Sequence, residues 1–206
     1  MKVKICGITD LETALAAFNY GADALGFVFA DSKRRIAPEK AKEIIQYLPV
    51  GLLKVGVFVN ENKLQIEKII AETGINMIQL HGDESPSFCR GFTIPIIKSF
   101  NIQTTDDLTK MENYQCKYVL FDSPKGMYHG GNGVKFDWSI LSGTQIKRKM
   151  ILAGGLTSEN VSQAIALVKP YMVDVSSGVE TNGKKDLKKI INFIKAAKQN
   201  EREEGK

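Results

Sequence analysis

Lys4-Ile5-Cys6-Gly7-Ile8-Thr9 is the stretch from which the fold can be read. A short apolar run carries a thiol to its last position, and Gly7 lets the backbone turn. Thr9 and Glu12 follow at capping-box spacing, opening a segment with Leu11, Ala14, Leu15 and Phe18 on one face. The unit is strand, turn, helix. It recurs along the whole chain: apolar runs lie at 3–7, 24–29, 52–59, 77–82, 94–99, 118–123, 150–155 and 171–178. Most are rich in Val, Ile, Leu and Phe and too short for good helices, as expected of parallel strands covered on both faces.

The segments between the runs read as helices. Pro38 opens one at an N1-like position, with Ala41, Ile44, Ile45 and Leu48 on its buried face. Asn60 is placed to cap the next, which buries Ile66, Ile69 and Ile70 and stops at Gly74. Thr157 or Ser158 is placed to cap a helix carrying Val161, Ala164, Ile165 and Val168, with Pro170 beyond its end. The last helix carries Leu187, Ile190, Ile191 and Ile194 and frays into a charged tail at 201–206. The segments at 85–92, 105–113 and 138–141 are short or polar and weakly patterned. Eight βα units in 206 residues predict an α/β fold, a small single-domain (β/α)8 TIM barrel over 1–206. The alternative, a doubly wound open sheet, usually has fewer strands, and no Gly-x-Gly-x-x-Gly follows the first strand. The glycine-rich stretch at 124–134 reads as a mobile loop above a strand end.

Composition narrows the function classes. No apolar run is long enough to cross a membrane, and no secretory leader follows Met1. Three cysteines at unpaired spacings fit a reduced, cytoplasmic protein and argue against a zinc module. Two histidines, His81 and His129, make a histidine-rich metal site a poor expectation. The net charge of +5 is spread out; Lys184-Lys185 and Lys188-Lys189 read as a solvated face rather than a nucleic-acid patch. No metal, cofactor, nucleic-acid or membrane partner is expected, and a mild positive excess suits a small anionic substrate.

In a barrel of this kind, chemistry sits where strands end and βα loops begin. Cys6, His81, Lys98, Asp122 and Asp174 end the first, fourth, fifth, sixth and eighth runs, and five such residues on one rim point to an active site. The seventh and eighth runs close on Ala153-Gly154-Gly155-Leu156 and on Asp174-Val175-Ser176-Ser177-Gly178-Val179-Glu180. Glycines and small hydroxyls there let backbone N–H groups approach an anion, as at a phosphate site. Gly154-Gly155 alone would be only a tight turn; the two loops together imply a phosphorylated small molecule.

These residues resemble phosphoribosylanthranilate isomerases of tryptophan biosynthesis. The resemblance rests on Lys-Ile-Cys-Gly-Ile-Thr at 4–9, Gly-Ala-Asp-Ala-Leu-Gly-Phe-Val-Phe at 21–29, Ser-Lys-Arg at 32–34 and Val-Gly-Val-Phe-Val-Asn at 55–60. Gln-Leu-His-Gly at 79–82, Phe-Asp at 121–122, Gly-Gly-Asn-Gly at 130–133, Phe-Asp-Trp at 136–138, Ala-Gly-Gly-Leu at 153–156 and Asp-Val-Ser-Ser-Gly-Val-Glu at 174–180 complete it. It spans residue 2 to about residue 194. It implies a cofactor-free Amadori rearrangement, with Cys6 as general base and Asp122 as general acid. It further implies Arg34 at the anthranilate end of the substrate, Asp174 near the substrate, and Gly154, Gly155, Ser176, Ser177 and Gly178 at the phosphate. His81 reads either as a pocket residue beside Gln79 or as a structural histidine. The assembly implied is a monomer or homodimer.

Blander readings stand beside these. Cys6 alone would be a packing thiol, Arg34 alone a surface arginine, and Cys89 and Cys116 read as packing residues. Lys98 has no role in the resemblance, and His129 reads as solvent-facing. The related histidine-pathway isomerase resembles this chain in reaction, but its pattern has an aspartate where Cys6 stands. A metal-dependent pentose-phosphate epimerase would need more strand-end histidines. A non-catalytic phosphate-ligand-binding barrel would have no need of both Cys6 and Asp122.

Overall fold

The computed structural model describes residues 1–123, 137–144 and 146–203. Eight parallel strands close a barrel in sequence order. They are β1 (Lys2–Cys6), β2 (Ala24–Val28), β3 (Leu53–Phe58), β4 (Met77–Leu80), β5 (Ile96–Asn101), β6 (Tyr118–Asp122), β7 (Lys149–Leu152) and β8 (Met172–Val175). β7 and β8 stop short of Gly155 and Gly178, because those residues leave the sheet to build loops. The seam closes where β1 pairs with β8, Lys4 opposite Asp174.

Strand alternation sorts the apolar runs into two layers. Val3, Ile5, Leu25 and Phe27 point outward and pack with Ala14, Ala17, Ile44 and Ile66 of the surrounding helices. Ala24, Val55, Met77, Ile97, Leu120 and Ile151 fill the barrel interior. Cys6, Val28 and Val57 form a small apolar layer of their own at the strand ends. Burial on both faces explains why the runs read as continuous rather than alternating.

The outer ring is α1 (Leu11–Asn19), α2 (Pro38–Ile45), α3 (Lys63–Thr73), α4 (Pro86–Cys89), α5 (Val161–Val168) and α6 (Leu187–Glu203). The weakly patterned segments stay weak: α4 is one turn, and Thr105–Asn113 and Trp138–Leu141 are 3₁₀ helices. Thr105–Asn113 buries none of its residues, so no apolar stripe draws it into an α-helix. The last helix continues to Glu203, further than expected; residues 204–206, the loop expected at 124–134 and His129 lie outside the described residues. Among the described residues, no helix is long and apolar enough to cross a membrane.

Three helix starts differ from the sequence expectation. Asp10, not Thr9, caps α1, its carboxylate accepting from the Thr13 N–H at 2.7 Å and the Thr13 hydroxyl at 2.9 Å. Asn62, not Asn60, caps α3 through the Gln65 N–H. Asn60 is instead left-handed, at φ 52°, and accepts from the Asp83 N–H. Ahead of α5, Asn160 stands at the cap position rather than Thr157 or Ser158. Its amide ties the Thr157 N–H to the Gly155 carbonyl and so braces the Gly154-Gly155 loop.

Lys98 also departs from expectation. Ile97 faces the barrel interior, so its neighbour Lys98 faces the other way, off the catalytic rim. There its ammonium donates to Glu84 at 2.9 Å and to the Gly82 carbonyl at 2.7 Å. Glu84 in turn accepts from the Asn60 and Gly82 N–H groups, so a buried ion pair joins two βα loops. Removing one partner of such a pair leaves an uncompensated buried charge. Lys98→Met is expected to cost roughly 3–5 kcal/mol in urea unfolding while the folded fraction keeps its turnover. A stable variant with lost turnover would return Lys98 to the active site.

Candidate active site

A cavity of about 610 Å³ opens at the C-terminal ends of the strands. Every residue singled out for the site lines it, except Lys98. Cys6, Asp122 and Asp174 come from β1, β6 and β8. His81 follows β4 and Arg34 lies in the loop after β2. Gly154, Gly155, Ser176, Ser177 and Gly178 come from the last two loops.

Cys6 ends β1 with 8 % of its surface exposed. Gly26 makes room for the thiol: a Cβ there would stand 2.7 Å from the Cys6 sulfur. Burial pushes the Cys6 thiol above its usual range, and the nearby Lys4 ammonium pulls the other way. Lys4 is fully buried and donates to both oxygens of Asp174 at 3.0 Å. Burial disfavours its charge, but Asp174 and Cys6 hold its pKa above the ordinary lysine value.

Asp122 is buried, and its Oδ1 accepts from the Ser123 N–H at 2.8 Å. On its other side, His81 Nε2 lies 3.5 Å from Oδ2. Gln79 Nε2 stands 2.7 Å from His81 Nδ1. An amide N–H only donates, so Nδ1 accepts and the neutral ring carries its proton on Nε2, facing Asp122. Burial, reinforced by Lys4, lowers the His81 pKa to about 4. His81 is therefore a neutral N–H donor at neutral pH.

Arg34 does not stand free. Glu180 holds it through Nε at 2.6 Å and Nη2 at 2.9 Å. That grip uses two of the five guanidinium donors and leaves three N–H groups on Nη1 and Nη2 for a second carboxylate. Burial opposes the Glu180 charge, yet Arg34 and Lys185 keep its carboxyl below the usual range. Lys185 corrects the reading of Lys184-Lys185 as a solvated helix face. The two form a short strand, β10 (Lys184–Lys185), paired with β9 (Glu180–Thr181). The Lys185 ammonium is buried and donates to Glu180 at 2.7 Å and to the Ser176 carbonyl at 2.9 Å. Burial lowers its pKa.

The two anion loops are shaped by glycine. Gly154 and Gly155 are both left-handed, at φ 82° and 64°, where a side chain would be strained. A Cβ on Gly178 would collide with the Leu156 carbonyl oxygen, which locks the two loops together. Ser176 donates to the Cys6 carbonyl at 3.0 Å and so ties the β8 loop to β1. Among the described residues, no group of three or more His, Cys, Asp or Glu side chains could hold a metal ion.

The family model for N-(5'phosphoribosyl)anthranilate (PRA) isomerase matches residues 3–196. The chain belongs to this family. A Bacillus cereus N-(5'-phosphoribosyl)anthranilate isomerase is 56 % identical over 201 residues, 97 % of this chain and 98 % of its own. The crystal structure of the Thermotoga maritima phosphoribosyl anthranilate isomerase superposes with a TM-score of 0.90 at 43 % identity, covering 97 % of this chain and 99 % of its own. A family structure in complex with reduced 1-(o-carboxyphenylamino)-1-deoxyribulose 5-phosphate superposes at 0.84 with 42 % identity, covering 97 % and 99 %. Lys4, Glu180 and Lys185, whose ion pairs brace Asp174 and Arg34 beside the cavity, were not singled out from the sequence. The available signal for Lys4 was its position two residues before Cys6, which in a strand puts both on one face.

Because the folded chain resists protonating His81, the unfolded chain takes up the extra proton as pH falls through the window from 6.5 to about 4. Stability is fully present above that window and declines through it. The loss attributable to His81 is on the order of 3 kcal/mol at most. Urea unfolding at the two ends of the window, in wild type and His81→Asn, measures it; an equal decline in the variant would contradict it.

Proposed function

We propose that the protein catalyses the Amadori rearrangement of N-(5'-phosphoribosyl)anthranilate to 1-(2-carboxyphenylamino)-1-deoxyribulose 5-phosphate, a step of tryptophan biosynthesis, by general acid–base catalysis. The observation that carries the reading is a thiol and a carboxyl, Cys6 and Asp122, on non-adjacent strands of one cavity that also contains the two glycine-shaped loops. The three free cysteines, all buried, suit a reducing cytoplasm.

The chemistry divides between the two side chains. Ring opening breaks the bond between C1 and the ring oxygen, and Asp122 in its protonated form supplies the proton that oxygen needs. The electron pair of the anthranilate nitrogen forms the iminium. The iminium acidifies the C2 hydrogen, which the Cys6 thiolate removes to give an enolamine. Protonation at C1, with loss of the C2 hydroxyl proton, then leaves the ketone. His81 Nε2 stands 3.5 Å from the Asp122 carboxyl and faces it across the cavity. Arg34, already steadied by Glu180, offers its remaining N–H groups to the anthranilate carboxylate. Backbone N–H groups at Gly154, Gly155, Ser177 and Gly178 hold the phosphate, with the Ser176 loop pinned by Lys185. Asp174 lies within reach of the sugar hydroxyls while it retains its ion pair with Lys4.

Adding the protein to phosphoribosylanthranilate in chelator-treated buffer is expected to quench the anthranilate-type fluorescence as substrate is consumed. No conversion under those conditions would overturn the reading. Cys6→Ser and Asp122→Asn are each expected to lower kcat by about 10²–10⁴-fold, with affinity for a reduced product analogue near wild type. Wild-type turnover in either variant would remove that residue from its role.

A further inference from the structure

Lys4 is a charged side chain with no exposed surface, and the acid–base chemistry above gives it no task. An unpaired ammonium in such a place would be very costly, so its partners identify what it does. Two of its three N–H groups are spent on Asp174 Oδ1 and Oδ2, both at 3.0 Å. Cys6 lies two residues along the same strand face, so the clamped ammonium sits on the Cys6 side of the barrel interior, where its charge favours the thiolate. The charged groups facing Cys6 come from every element around it. They are Lys4 on β1, Asp174 on β8, Arg34 after β2 and Lys185 on β10. Glu180 pairs with both Arg34 and Lys185. Three cations therefore share two carboxylates, and the remaining positive charge is balanced when the sulfur is ionised.

We propose that Lys4 is the positioning residue of the cysteine base: clamped on Asp174 two residues from Cys6 on the same strand face, its ammonium makes the Cys6 thiolate easier to form at the cavity wall. Asp174 then has two opposed effects. It anchors the ammonium, and its own negative charge restrains the thiolate from becoming too easily formed. Lys4 touches no reacting atom; it acts through Cys6. The proposal rests on the isomerase reading for its purpose but is tested without substrate.

The test is the pH dependence of Cys6 alkylation by iodoacetamide, read by peptide mass spectrometry. Lys4→Met is expected to move the midpoint up by at least about one pH unit, making alkylation near neutrality roughly tenfold slower. In turnover, kcat should fall by a similar factor near neutrality and recover toward wild type in alkaline buffer, with KM little changed. A merely structural role for Lys4 would give no alkaline recovery. Asp174→Asn is expected to move the midpoint down, and it carries the test if Lys4→Met does not fold by circular dichroism. An unmoved midpoint in folded Lys4→Met, or an unmoved or raised midpoint in Asp174→Asn, would overturn the proposal. Failure of the isomerase reading would look different: no fluorescence loss, with the alkylation shifts intact.

Discussion

The Lys4–Asp174 ion pair lies inside the barrel where β1 meets β8, the joint at which the sheet closes on itself. Losing either partner would strand a charge in a water-poor interior, at about 3–5 kcal/mol. A slip of one residue in register would turn Lys4 outward into the apolar layer occupied by Val3 and Ile5. The pair therefore helps fix the register at the seam. Cys6 follows Lys4 by two residues and Ser176 follows Asp174 by two, so the same register delivers the thiol and the anion loop to one rim. Closure of the fold and placement of the Cys6 thiol depend on one interaction.

Around that joint the mouth is lined by cations held in place by carboxylates. Glu180 grips Arg34 and Lys185 together, linking the loop after β2 to the hairpin after β8. Lys185 and Ser176 then connect that hairpin to the Cys6 backbone. A phosphorylated carboxylate substrate entering this mouth meets side chains already oriented, so less ordering entropy is lost on binding. On the opposite side, Gln79 sets the His81 tautomer, and His81 sets the environment of Asp122. Cys6 has the buried Lys4 two residues back on its own strand, and Asp122 on β6 has His81, at the end of β4, across β5.

Much of this was legible in the sequence. Eight apolar runs specify eight strands, and their polar ends Cys6, His81, Asp122 and Asp174 all line the cavity. The reading failed where one-dimensional pattern carries no face. Doubly buried strands hide their period of two, so Lys98 and Asp122 look alike as polar strand ends although they face opposite sides of the sheet. Lys4 went unremarked for the same reason, although it faces the barrel interior. Thr9 and Asp10, or Asn60 and Asn62, are comparable capping residues. Contacts distant in sequence decide between the asparagines, since Asn60 is held by Asp83 and Glu84. Lys184 and Lys185 differ only because a two-residue strand turns one out and one in.

The central claim is that Cys6 removes the C2 hydrogen while Asp122 protonates the ring oxygen. Single-turnover rates with phosphoribosylanthranilate carrying deuterium at C2 test it most directly. A primary isotope effect in wild type, growing in Cys6→Ser and not in Asp122→Asn, is the predicted result. An isotope effect of unity in both wild type and Cys6→Ser would contradict the assignment of the base.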